Sequence, residues 1–214
     1  MRIDDFHPLV LVDVLGCPAP LIDQALVLAA QEFCRNSLAW TESQDPVVLV
    51  DGVQDYELDT PAQSFALAVR DVWMAGRRLR PVTMAELQLS MPGWAAGTSS
   101  APTCYNASVE RGSIRVFPIP AAANSQTMVI RTAFAPALTA TTLPDFLGTH
   151  HAEVLASGAK ARLMMMPPDK PWSNPQLGMY HRQLFDNGIV DAKISELHDR
   201  VPGPLTVAPR RFGF

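Results

Sequence analysis

Gly158-Ala159-Lys160-Ala161-Arg162-Leu163-Met164-Met165-Met166 runs into the turn Pro167-Pro168-Asp169-Lys170-Pro171-Trp172. Placed at about 100° per residue, Leu143, Leu147, His151, Val154, Gly158, Ala161 and Met165 fall on one helical stripe. Beyond the turn, Leu177, Tyr180, His181, Leu184, Phe185, Gly188 and Ala192 form a second. Each stripe narrows to glycine near its middle. A glycine inside a helix costs about 1 kcal/mol relative to alanine, so Gly158, Ala161 and Gly188 mark a close approach, expected to be of another backbone. The prolines stop the first helix, because their rings clash with the preceding turn and carry no N–H. Ser173 with Gln176 predicts a capping-box start for the second, and Pro175 suits its first turn. So short and stiff a connection predicts antiparallel helices serving as scaffold.

Working outward, 214 residues suffice for one large domain or two small ones. Hydrophobic residues make up 48% and charged ones 18%, too apolar for disorder and a hint that apolar surface is completed by other copies. A net charge of −4 gives no general case for nucleic-acid affinity. Cys17, Cys34 and Cys104 have no metal-ligand spacing and read as buried free thiols in a reducing compartment. Acid stands at Met1-Arg2-Ile3-Asp4-Asp5 where a signal peptide carries base, and no apolar run approaches the roughly 18 residues that span a bilayer. These features predict a soluble protein made in the cytoplasm, with no membrane partner.

In the N-terminal part, Leu9-Val10-Leu11-Val12 reads as a short strand or as an arm on a neighbour. Pro18 and Pro20 start a helix reaching Trp40, with Ile22, Leu26, Ala29, Ala30 and Phe33 on its main stripe and Leu21, Ala25 and Leu28 on a second flank. The period then changes to two. Val47 to Val50 and Val53 to Asp59 flank Asp51-Gly52, a hairpin signal. Phe65 to Met74 and Arg77 to Val82 predict another strand pair around Ala75-Gly76. Thr83-Met84-Ala85-Glu86 opens a short helix to about Met91. Strands are predicted at Thr103 to Val109, Ser113 to Phe117 and Thr127 to Phe134, the last with too little one-sided burial for a flat exposed sheet. The fold class is α+β, a small helical bundle of one N-terminal and two C-terminal helices with an inserted antiparallel β domain. The expected divisions are 1–45, an N-terminal arm and helix; 46–141, the β domain; 142–198, the helical hairpin; and 199–214, an extended C-terminal arm. Within that last stretch Pro209, Arg210, Arg211, Phe212 and Phe214 read either as a floppy end or as a docking arm.

Catalytic and metal chemistry finds little support. His150, His151, Glu153 and His181 are the nearest approach to a metal set, but adjacent histidines point about 100° apart and do not reach one ion. Neither a Gly-x-Ser-x-Gly elbow, a phosphate-binding glycine loop nor a dinucleotide fingerprint occurs. Asp51, Asp55, Glu57 and Asp59 lack the glycine and terminal glutamate of a calcium loop. Asn106-Ala107-Ser108 matches the glycosylation triplet, which means nothing without a secretory route. The basic knot Arg77, Arg78 and Arg80 suits phosphate, edge protection or an intersubunit ion pair equally. No catalytic, metal or cofactor residue is assigned.

Three segments carry a resemblance. The first runs from Cys17-Pro18 through Phe33-Cys34-Arg35 to Ser37-Leu38-Ala39-Trp40. The second is Tyr56-Glu57-Leu58 to Pro61 with the strand pair Val69 to Leu79. The third and most specific runs from Leu143-Pro144-Asp145 through Gly158-Ala159-Lys160-Ala161-Arg162-Leu163 to Pro171-Trp172, Tyr180 and Phe185. In their order and spacing the chain resembles the head-to-tail adaptor (connector, or head-completion) proteins of tailed bacteriophages. The resemblance implies a structural, non-enzymatic virion protein of the neck, assembled in the host cytoplasm as a ring of probably twelve copies. Its implied partners are copies of itself, the portal protein, tail or neck proteins, and DNA crossing the lumen without sequence-specific binding. The alternatives are another neck or tail-end virion protein, or a cellular β-domain ligand-binding module with Trp73, Trp94 and Tyr105 as stacking residues.

Overall fold

A computed structural model of the chain describes residues 1–121 and 126–197. Among the described residues, helices flank a strand-rich middle, the α+β build expected. A 3-10 turn over Ile3–Phe6 leads into α1 (His7–Leu11), so the N-terminal burst is neither strand nor arm. Pro8 suits the first helical turn, and Phe6, Val10 and Val14 then bury one face at four-residue spacing. Next, α2 (Ala19–Ser37) starts at Pro18 and Pro20 as expected. It stops short of Trp40, because Leu38 turns left-handed at φ 56° while its N–H still donates to the Cys34 carbonyl at 2.8 Å.

The strands follow as β1 (Thr41–Ser43), β2 (Val47–Val48), β3 (Asp55–Glu57), β4 (Ser64–Met74), β5 (Arg77–Arg78) and β6 (Arg80–Pro81). After helix α3 (Met84–Ser90) come β7 (Thr98–Ser99), β8 (Cys104–Ser108), β9 (Ser113–Phe117), β10 (Ile119–Pro120) and β11 (Thr127–Pro136). One sheet is ordered β1-β11-β4-β5, with β2 also on β11; a second is ordered β3-β9-β8-β6; β7 and β10 pair alone. Pairing is antiparallel except for the short parallel pairs β6–β8 and β7–β10.

The turn at Asp51-Gly52 forms, with Gly52 at φ 79°, but its flanks do not make a hairpin. Instead β2 joins β11 and β3 joins β9 in the other sheet. The turn is a crossover between layers, and a local turn signal says nothing of which sheet each flank enters. Similarly, Ala75-Gly76 makes a hairpin only as far as Arg78, beyond which β6 crosses to β8. Val72, Met74, Met128 and Ile130 from one sheet and Tyr56, Tyr105, Ile114 and Val116 from the other bury one core between them, the two-layer packing expected.

Helix α3 is capped by the Thr83 side chain, which accepts the Glu86 N–H at 3.1 Å. The two long helices are α4 (Asp145–Met164) and α5 (Pro175–Leu197). The cap of α5 is Asn174, whose Oδ1 accepts the Leu177 N–H at 3.2 Å, while the Ser173 hydroxyl donates back to the Met166 carbonyl at 2.8 Å. A serine and an asparagine side by side offer two cap registers, and the end of α4 takes the serine. Pairings run Met164 with Gly178, Gly158 with Phe185 and Val154 with Gly188, so the helices are antiparallel.

Helices α1, α2, α4 and α5 share one core, which also takes in Phe134 and Ala135 at the end of β11. Here the β4–β11 ladder slips twice, between Arg131 and Thr132 and between Ala133 and Phe134, and both faces of β11 become buried. The chain start is stitched to α4: the Met1 ammonium donates to the Leu143 carbonyl at 2.9 Å and to Asp145 Oδ1 at 2.5 Å. No helix among the described residues is long and apolar enough to cross a membrane.

Candidate assembly surface

The geometry at the centre of the bundle begins with two glycines. A Cβ added at Gly158 would lie 2.7 Å from the Phe185 ring and 3.0 Å from the Ala29 Cβ. One added at Gly188 would lie 2.5 Å from Val154 Cγ1. What comes close is therefore a side chain in each case, not the backbone expected from the sequence. Ala161 is buried on the same helix. The guanidinium groups of Arg162 and Arg182 stand 5.8 and 5.5 Å from the centre of the Phe185 ring. Both pair with Glu32 of α2, Arg182 at 2.6 Å, and Arg182 also holds Asp186 at 2.8 Å. Burial pulls the Glu32 carboxyl upward, but the hydrogen bonds and charges of the two arginines outweigh it and hold it below its ordinary value. Three helices thus meet on one carboxylate.

Lys160 of α4 pairs with Asp13 at 2.5 Å, and His181 of α5 lies 3.6 Å from the same carboxylate. Burial and the Lys160 charge push His181 below its ordinary pKa, against the pull of Asp13. His151 instead packs at a tilt against Phe33, with ring centres 4.8 Å apart. The structure therefore separates His181 from the His150–His151 pair rather than gathering them round an ion. Among the described residues, Asp4, His7 and Asp23 do cluster within 4.8 Å. Two contacts account for them: a hydrogen bond between His7 Nε2 and Asp23 Oδ1 at 2.5 Å and an ion pair between Arg2 and Asp4 at 2.7 Å.

Other residues singled out from the sequence are dispersed. Tyr105 is buried between the sheets, Trp94 packs edge-on against Phe117 beside α3, and Trp73 is exposed on β4, so these rings form no common stacking platform. Asp55 is held by Arg115 across β3 and β9 in a two-pronged pair of 2.7 and 2.8 Å, which lowers its pKa. Of the basic knot, Arg78 pairs with Asp71 and Arg80 with Glu86 at 3.5 Å, leaving Arg77 exposed. The three cysteines are free and buried, and burial pushes the Cys34 thiol up to about 12. Pro209, Arg210, Arg211, Phe212 and Phe214 lie outside the described residues.

The outward side of α5 is the surface that the sequence reading missed. Its inward face buries Gly178, His181, Phe185, Ile189 and Ala192. Its outward face carries Met179, Tyr180, Leu184, Val190, Ile194 and Leu197, each at least 40% exposed. Tyr180 and Leu184 were expected on the buried stripe, as was Met165 of α4, which is 48% exposed. A stripe drawn at about 100° per residue has two edges, and a sequence alone does not say which edge turns inward. The signal was present in the surplus, since α5 carries more apolar residues than one face of a helix holds.

Among the described residues, α5 thus combines a buried inward face, anchored by an ion pair to α2, with an outward face on which six large apolar side chains stand exposed. The family model for the SU10 adaptor protein matches residues 9–208, and the chain belongs to that family, a family of phage head-to-tail adaptors. Membership implies association with phage head and tail components. Among curated proteins, none matches the chain.

Proposed function

We propose that this chain is the repeating subunit of a closed ring, of about twelve copies as the resemblance implies, set between the portal and the tail of a tailed phage. The ring extends the DNA channel, offers the tail its docking face and belongs to the neck of the virion. Its role is mechanical and uses no cofactor. In this reading the helical part comprises 1–45 and 142–198, the β part is 46–141, and 199–214 is the arm that docks on a neighbouring component. Gly158, Ala161 and Gly188 set the spacing of the helix pair.

The observation that supports it best is the outward face of α5, together with family membership. A ring closes through heterologous contacts, in which one patch of a subunit meets a different patch of the next. An apolar stripe along a 23-residue helix is suited to such a contact. The test is mass by light scattering with negative-stain imaging, on the purified chain alone and with portal. A ring, alone or on portal, is the expected result. A stable monomer that ignores portal overturns the proposal.

A further inference from the structure

We infer that the cleft where the end of α2, the middle of β4 and the end of α5 meet is an anion site, and that it receives a carboxylate from a second copy of this chain. The cleft has a volume of about 490 Å³ and is lined by Arg35, Asn36, Arg70, Lys193 and Glu196, among others. Most described lysines and arginines close an ion pair inside the chain. Arg35, Arg70, Arg77, Arg111 and Lys193 close none, and three of these meet here. Glu196 leaves an excess of positive charge in the recess.

The placement of Arg70 comes from the backbone. The ladder passes from Arg131 opposite Asp71 to Thr132 opposite Val69, so Arg70 is the extra residue of a bulge. Such a bulge re-aims one side chain of a strand. Here it brings a half-buried guanidinium to the ends of two helices.

Arginine's planar fork matches the oxygens of a carboxylate or a phosphate. Duplex DNA presents a phosphate charge about every 1.7 Å along its axis and is held by a row of cations. The cations here converge on one recess with Glu196 inside it, in a chain whose net charge is −4. A single acidic group fits that arrangement better than a duplex.

Continuity argues for the second copy as its source. Lys193, Glu196 and Leu197 line the cleft, and Val190, Ile194 and Leu197 belong to the outward stripe of the same helix. Leu197 belongs to both, so a neighbour seated on the stripe reaches the edge of the cleft. The inference rests on the ring reading, and the chain has acids to supply, 21 against 17 basic residues.

The test is zero-length carbodiimide coupling on the full chain, mixing nitrogen-15-labelled and unlabelled copies so that links between copies separate from a Lys193–Glu196 link within one. A mixed-isotope adduct at Lys193 is expected, and Lys193→Gln should abolish it. Arg35→Gln with Arg70→Gln should keep the wild-type melting curve and raise the concentration for half-assembly about tenfold. If rings form without the Lys193 adduct and the double variant assembles normally, the cleft inference is overturned while the ring reading stands. If no ring forms under any condition, both fall. If the wild type retains a short duplex DNA that the double variant releases, the site belongs to nucleic acid and the inference is wrong.

Discussion

Phe185 is the residue on which the bundle turns. Its ring fills the space that Gly158 leaves, and Arg162 and Arg182 lie over it. Any side chain at 158 must displace that ring or the Ala29 methyl, and both lie in a close-packed core. Gly158→Leu should therefore lose about 1–3 kcal/mol or more through overpacking, despite leucine's better helix propensity. Urea denaturation of the variant and the wild type checks this. Unchanged stability would refute the packing account, and Gly158→Leu combined with Phe185→Ala should cost less than the two single losses summed.

Between elements, Glu32 is the joint of α2, α4 and α5. Its folded-state pKa lies below the ordinary glutamate value of 4.5. The unfolded chain thus takes up this proton near 4.5 and the folded chain only at lower pH. The stability that Glu32 contributes is complete above 4.5 and is lost as pH falls through the folded value. Glu32→Gln should cost about 1 kcal/mol at pH 7, a modest figure because the group is partly solvated. The variant should also unfold less steeply than the wild type on the acid side of pH 4.5. Chemical denaturation across the pH range measures both effects; a variant with the wild-type acid limb would show that the joint does not matter. The capping of α5 belongs to this scale too. The sequence pointed to Ser173 as the cap, but its hydroxyl is drawn to the end of α4 and Asn174 caps the helix instead.

For the whole molecule, the outward stripe of α5 is the expected contact between copies. Leu184→Asp with Ile194→Asp changes exposed positions only, so the subunit should fold and melt as before. The ring should fail to form, and light scattering should find monomer. An intact ring in that variant would move the contact elsewhere. Deleting Pro209 to Phe214 should leave the fold unchanged and weaken docking on portal or tail, as measured by co-sedimentation. Docking of the truncation at full strength would show that those residues carry none of it.

The helices other than α1, the α3 cap and the central strands could be read from the sequence because each rests on contacts a few residues apart. Proline at a first turn, threonine with a glutamate three residues on, and apolar periods of 3.6 or 2 act over that range. The glycine pair was legible for the same reason, as a local cost that something must offset. Which layer each flank of Asp51-Gly52 joins was not legible, nor the bulge that sends Arg70 to the helix ends, nor the edge of α5 that faces water. Those follow from burial shared between segments far apart in the chain. A one-residue slip in a ladder, or a modest roll of a helix, exchanges inside for outside without altering any local preference. The tertiary structure alone made those choices, and with them it set the surface through which copies of this adaptor are proposed to meet.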